Sequence, residues 1–377
     1  MPKGRKAAKL IGQIFAKKYL LQSLIGEGGF GAVFSAQNIE TSQKYAIKVL
    51  FIKLDSVLDQ QRDLQYFQRE AGTLSRVQHP NIVSVVEIGI SEKDLPYLVM
   101  ELVEGKLLSD SLRTEGTFSL SRLVKIISQL CQAVAAIHEQ DIIHRDLKPE
   151  NIIISGQNET EIVKLLDFGL AKLVRGERDD KWLRTLTGRG QIHGTIFYMS
   201  PEQCEGKKLD ERTDIYSLGI LAYELLAGQP PFYAEFPLSV MMLHLDSPPP
   251  PLRAFRPDIG VEVEIAILKA LEKDPVNRYA SALEFAQALE SAAVNNSSLE
   301  QRALANPNSP SITSTIALGK PKNTKDMDMV VFQQELRDLH QQEESKEEES
   351  KEEEFKEEEK RGQSHLSQLI DMFNKKP

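Results

Sequence analysis

A chain of 377 residues with a formal net charge of −9, 41% hydrophobic and 27% charged side chains, has the apolar material for a large core and no basic surplus to hold nucleic acid. Its two cysteines, Cys131 and Cys204, exclude a disulfide framework and fit a reducing cytosol. No run of about eighteen apolar residues is free of charge, so a cytoplasmic protein without a membrane span is expected.

Residues 1–18 begin with Lys3, Arg5, Lys6 and Lys9, and Gln13, Lys17 and Lys18 break the apolar stretch that follows. That pattern is a basic extension and not a secretory signal. From Tyr19 to about Leu95, short strand-like runs predict a small sheet-rich lobe. Residues 25–33 read IGEGGFGAV, with Gly26, Gly28 and Gly31 between two such runs. A backbone that must come close to phosphate oxygens needs residues without Cβ, yet a plain hairpin turn uses glycines in the same way. A dinucleotide fold would need a helix directly after the glycines, whereas here the strand-like run Ala32 to Ala36 follows.

In the next run, alternation puts Tyr45, Ile47, Val49 and Phe51 on one face and Ala46, Lys48 and Leu50 on the other. Lys48 therefore points among apolar neighbours, where it either snorkels to water or is held by an anion. Downstream, Phe67, Glu70, Leu74 and Val77 share one helical face, so Glu70 is a carboxylate on an inward stripe. Two unlike charges brought inward suggest a pair that would fix the lysine at a nucleotide's phosphates.

From about Ser109 to Ala293 helical patterns dominate. Leu123, Ile126, Ile127, Leu130, Val134 and Ile137 form one stripe. The segment 215–226 is apolar nearly all round, which predicts a buried helix ended by Gly228, Pro230 and Pro231. After Ala293 the composition shifts to Asn, Ser, Thr and Pro, read as a linker over 294–325. The tail, 326–377, holds eleven Glu against five Lys or Arg between Gln341 and Arg361, then Leu366, Leu369, Ile370 and Phe373 at helical spacing. Its Glu347–Lys351 and Glu352–Lys356 pairs favour a helix by only about 0.2–0.5 kcal/mol each. Two readings stand: a solvated acidic tail, or a helix that docks on a partner or on the chain itself.

The decisive stretch is IHRDLKPENIII at 143–154, followed by KLLDFGLAK at 164–172. Fixing only His144, Arg145, Asp146, Lys148 and Asn151 leaves on the order of one accidental match in ten thousand chains of this length. With these residues the sequence resembles the protein kinase superfamily over about Tyr19 to Ala293, and the bacterial Hanks-type, eukaryotic-like serine/threonine kinases in PPPPLR and KALEKDPVNRYAS. Many of those continue into a membrane span and a sensor domain; the acidic tail stands here instead.

The resemblance implies an α+β, two-lobed kinase fold, with a β-rich N-lobe over about 19–103 and a helical C-lobe over about 104–293. It implies ATP and Mg²⁺ as cofactors, protein Ser/Thr hydroxyls as acceptors and no nucleic acid. Lys48, fixed by Glu70, would meet the phosphates, Asp146 would take or orient the acceptor's proton, and Lys148 would stabilise the moving phosphoryl group. Asn151 and Asp167 would hold Mg²⁺, a hard ion that needs oxygen ligands. Ile25, Gly26, Glu27, Gly28 and Gly31 would cover the nucleotide, while Val33, Ala46 and Ile153 would sandwich the adenine and Met100 would border that pocket. The main chain of Glu101 and Val103 would bond its edge. Thr195 would bridge Asp146 and Lys148, as in serine/threonine enzymes. Glu202 would pair with Arg278, and Asp214 would brace the backbone of the 144–146 motif. Arg145 beside the base implies a phosphate received from the intervening loop, with Thr187 as first choice and Thr185 as second. The rival readings are a pseudokinase, which usually lacks the lysine, the base or a metal ligand, and a small-molecule kinase of related fold.

Overall fold

The period-two runs of the first hundred residues become a six-stranded antiparallel sheet. In the computed structural model, which describes residues 7–27, 31–51, 77–156, 160–166 and 194–305 with side chains as far as Asn296, the strands are β1 (Ile14–Phe15), β2 (Tyr19–Glu27), β3 (Gly31–Asn38), β4 (Lys44–Leu50), β5 (Val85–Ile90) and β6 (Pro96–Glu101). Their order is β1-β2-β3-β4-β6-β5. Register sets the two faces. Phe34, Ile47 and Val99 lie in one cross-strand row and Ala32, Val49 and Tyr97 in the next, all of them buried. Val33, Lys48 and Leu98, then Ser35, Ala46 and Met100, form the rows of the opposite face.

Residues 7–18, separated from the domain on composition, pack onto the first of these faces. Ala7, Leu10 and Phe15 are buried in its core, and the Phe15 ring meets Tyr97 edge-on at 5.3 Å. The physical reason is that Phe34, Ile47 and Val99 would otherwise face water, and the apolar residues between the N-terminal lysines cover them. Glu87 ties the segment down, accepting hydrogen bonds from Lys18 Nζ at 3.0 Å, the Tyr19 hydroxyl at 3.0 Å and the Tyr97 hydroxyl at 2.8 Å.

A second, three-stranded antiparallel sheet, β7 (Lys106–Leu107), β8 (Ile152–Ser155) and β9 (Ile162–Leu165), begins the larger lobe. Its helices are α1 (Leu108–Glu115), α2 (Leu120–His138), α3 (Pro201–Cys204), α4 (Arg212–Ala227), α5 (Pro237–Asp246), α6 (Val261–Ala270) and α7 (Ala282–Ala305). The α2 stripe from Leu123 to Ile137 is buried as its spacing predicts, and truncating one such side chain to Ala costs about 2–5 kcal/mol. By length and composition α2 is, among the described residues, a helix that could cross a membrane, but its apolar stripe is spent on the core. Helix α4 is buried from Thr213 to Leu226 except at Glu224, and the left-handed Gly228 ends it at φ 77°.

The linker expected from Val294 onward needs correction at its start. Helix α7 continues to Ala305. The Asn residues that suggested a linker instead secure the helix: Asn295 donates to Glu262 at 2.7 Å, and Asn296 is buried against Gly260. The rest of the linker and the whole tail lie outside the described residues.

Candidate active site

The loop between α2 and β8 carries the HRD motif, and its backbone is held from beneath. Arg145 sits at φ 64°, a left-handed conformation that an L side chain adopts only under constraint. The constraint is Asp214, wholly buried in the first turn of α4. Its carboxylate accepts the N–H of His144 at 2.8 Å and of Arg145 at 2.9 Å, and His138 Nε2 lies 2.8 Å away. Burial pushes the Asp214 carboxyl up, but the hydrogen bonds and charge of His138 and the His144 backbone outweigh it and hold it below the ordinary aspartate range. Gln203 Nε2 donates to the Arg145 carbonyl at 3.0 Å, closing the clamp from the other side.

On this fixed backbone four side chains converge. Lys148 Nζ donates to Asp146 Oδ2 at 2.9 Å and to Thr195 Oγ1 at 2.6 Å. The ammonium, and not the threonine hydroxyl, is therefore the bridge between the other two. Asn151 Nδ2 donates to the Asp146 carbonyl at 2.8 Å and to its Oδ2 at 3.0 Å. Spending both bonds on the amide nitrogen turns the Asn151 oxygen away from Asp146 as a hard donor. The N–H of Leu166 bonds the Asn151 carbonyl at 2.7 Å, which brings the chain that leads to Asp167 alongside the loop.

The face of the sheet opposite the one that the N-terminal segment covers brings together Val33, Ala46, Lys48 and Met100. Lys48 is half-buried there, in the row with Val33 and Leu98. The two described glycines of the phosphate loop differ. A Cβ on Gly31 would stand 2.1 Å from the Val49 carbonyl oxygen, so packing demands that glycine, while a Cβ on Gly26 would meet nothing within 4 Å. Gly26, opposite Val33 and flanked by the exposed Ile25 and Glu27, keeps open space that the fold itself does not use. At the end of β6 the Glu101 N–H bonds the Ser84 carbonyl at 3.0 Å. Its carboxylate accepts the Ser84 N–H at 3.0 Å and Lys164 Nζ at 2.7 Å, tying β6 to β9. Val103 follows in the crossing segment, and Ile153 lies on β8, the middle strand of the second sheet. Glu70, Gly28, Asp167, Thr185 and Thr187 fall outside the described residues.

A model of the protein kinase domain matches residues 19–291. The chain belongs to the protein kinase family. The chain is 40% identical over 283 residues to serine/threonine-protein kinase pkn3 of Myxococcus xanthus, covering 74% of the chain and 51% of that protein. It is 38% identical over 270 residues to serine/threonine-protein kinase PknB of Mycobacterium leprae, covering 71% and 42%. It therefore spans about half the length, or less, of these curated relatives. The crystal structure of the Mycobacterium tuberculosis PknI kinase domain superposes with a TM-score of 0.57 at 26% identity, covering 74% of the chain and 98% of that domain. The chain falls in the bacterial Hanks-type branch of the family, with the two-lobed α+β fold that its motifs imply.

The expected pair of Glu202 and Arg278 forms in the larger lobe. Arg278 Nη1 and Nη2 each lie 2.8 Å from a carboxylate oxygen of Glu202, and the remaining guanidinium donors reach the carbonyls of Arg212, Glu272 and Lys273. Burial raises the Glu202 carboxyl, and the Arg278 contacts more than reverse this and hold it low. Sequence reasoning passed over His138, Gln203 and Lys164. A signal existed for Gln203: Ser200 and Gln203 have capping-box spacing, and that box forms at the start of α3. His138 follows the last residue of the α2 stripe, where a buried polar group needs a partner.

Proposed function

We propose that this chain is an ATP-dependent kinase that phosphorylates serine or threonine hydroxyls of proteins. The observation that carries the reading is the Lys148 ammonium held between Asp146 and Thr195, at 2.9 and 2.6 Å. An acceptor hydroxyl set against the Asp146 carboxylate passes its proton there as its oxygen bonds the γ-phosphorus, while the bond from that phosphorus to the β-γ bridging oxygen breaks and ADP leaves. Lys148 supplies positive charge where the transferred group gains negative charge, and its link to Thr195 orients that charge. Thr195 beside the base leaves room for a short hydroxyl side chain, which favours Ser and Thr.

ATP and Mg²⁺ fit the residues present. Gly26 leaves a cradle that a Cβ would fill, and Lys48 with Val33, Ala46 and Met100 lines one face of the cleft above it. With the Glu101 N–H engaged by Ser84, the Glu101 carbonyl and the Val103 main chain are the groups offered to an adenine edge. Asn151 supplies one oxygen for a metal, and Asp167 is the second ligand the motif implies. Bound Mg²⁺ would neutralise phosphate charge. Regulation belongs to the same proposal: Arg145, fixed next to the base, would receive a phosphate on Thr187 or Thr185. The cytoplasmic placement rests on Cys131 and Cys204, both buried free thiols.

The test is transfer of γ-labelled phosphate from Mg-ATP to the kinase itself and to a basic acceptor protein, with Asp146→Asn as control. Label on Ser or Thr that disappears in the variant supports the reading. Failure of the native chain to label any polypeptide defeats it.

A further inference from the structure

Arg145 is strained at a single backbone bond, and two residues hold the two sides of that bond. Its φ of 64° lies where an L side chain crowds the backbone, and such a conformation persists while its surroundings enforce it. Rotation about the N–Cα bond relieves the crowding by swinging the Arg145 carbonyl, and Asp146 with it, relative to the Arg145 N–H. Asp214 holds that N–H at 2.9 Å. On the far side of the bond the carbonyl accepts from Gln203 Nε2 at 3.0 Å. This carbonyl belongs to the peptide that leads into Asp146, whose own N–H donates to His144 Nδ1 at 3.3 Å.

The Gln203 amide makes this bond in one orientation. Gln203 is buried, and its Oε1 accepts the Ser200 N–H at 3.0 Å while its own backbone N–H meets Ser200 Oγ at 3.3 Å. A flipped amide would set oxygen against the Arg145 carbonyl and NH2 against the Ser200 N–H, losing both bonds. The anchor behind the amide is fixed as well. Glu202, its neighbour, accepts from Arg278 Nη1 and Nη2 and from Thr213 Oγ1, each at 2.8 Å, and Thr213 directly precedes Asp214. The neighbouring pairs 202–203 on α3 and 213–214 on α4 thus form one unit that grips Arg145 from both sides. A capping box accepts Glu or Gln at residue 203 equally well, but of the two only the amide carries the donor that the Arg145 carbonyl uses.

We propose that Gln203 is a positioning residue for the base: by holding the Arg145 carbonyl it fixes the peptide that leads into Asp146, and so keeps the Asp146 carboxylate at its place beside the acceptor hydroxyl. The inference rests on the protein-kinase reading, and its test separates the two. Steady-state kinetics of the full chain are measured with ATP and with myelin basic protein varied in turn, beside melting curves. Gln203→Glu keeps the side-chain length and the capping acceptor but sets an oxygen against the Arg145 carbonyl; kcat falls by about tenfold while both KM values stay within about twofold. Ser200→Ala is the control for stability. It removes the hydroxyl half of the capping box and leaves the backbone N–H that aims the amide, so Tm falls while kcat stays within about twofold. A native kcat in Gln203→Glu overturns the proposal and leaves the kinase reading intact, as does a loss of kcat that follows Tm alike in both variants. Should Gln203→Glu not fold, Gln203→Met, uncharged and of the same reach, takes its place with the same expectation, and a native kcat there rejects the proposal. No transfer by the native chain to any acceptor defeats both readings.

Discussion

The ammonium of Lys148 lies 2.6 Å from the hydroxyl of Thr195, 47 positions later in the chain. The loop that holds the base and the segment beside the acceptor thus meet through a charged hydrogen bond, stronger than a neutral one. Removing the hydroxyl leaves Lys148 with the same charge and one fewer constraint on where it points. Thr195→Val, nearly equal in volume, lowers kcat by on the order of ten- to a hundredfold, and Thr195→Ser keeps most of it. Initial rates at saturating ATP and acceptor check this; equal losses in Val and Ser would point to packing by the methyl group instead.

Gly26 and Gly31 separate nucleotide binding from folding. Gly31→Ala drives a methyl group to 2.1 Å from the Val49 carbonyl oxygen and costs about 1–3 kcal/mol, visible as a lower Tm. Gly26→Ala enters open space, so Tm holds to within the roughly 0.5 kcal/mol typical of surface changes while KM for ATP rises several-fold. Melting curves and ATP kinetics of the two variants test it. If Gly26→Ala binds ATP normally, the open cradle serves no phosphate.

Glu224 makes the C-lobe sensitive to pH near neutrality. Burial pushes its carboxyl up to about 7, with Glu150 adding to the rise and the Tyr198 hydroxyl, 2.7 Å away, opposing it. A carboxyl raised on folding contributes stability that is fully present below its unfolded value of 4.5 and lost as pH climbs through 7. Glu224→Gln therefore matches the native chain near pH 5 and exceeds it at pH 8. The gap opens by at most about 1.4 kcal/mol per pH unit between those limits. Tm at both pH values measures it, and a constant offset would mean that Glu224 does not titrate in this window.

Legibility in the sequence followed the range of the interaction. The α2 stripe and the enclosed α4 helix could be read directly, because a 3.6-residue period shows in ten or fifteen consecutive letters. The split of β4 into two faces, with Lys48 on the cleft side, came from alternation alone. Where a residue's partner lies far off, composition misled. Ala7, Leu10 and Phe15 counted as an extension because nothing nearby shows that Phe34 and Val99 need a cover. Asn295 and Asn296 counted as linker because their partners on and before α6 lie more than thirty positions back, with Glu262 33 residues away.

The chemistry of this protein was already present in the order of its letters: a glycine-rich turn, a lysine, an HRD loop with its Lys and Asn, and a threonine ahead of SPE. Residue types at fixed spacing suffice for that, since hydrogen-bonding capacity and charge are properties of single side chains. Only the tertiary structure decided which atoms share a proton or a charge. It placed Lys148 between Asp146 and Thr195, gave Asp214 the backbone of His144 and Arg145 to hold, and brought the Tyr216 hydroxyl to His244. These are distances between chain segments brought together by burial of apolar surface, which depends on the whole core and is not written at any one position.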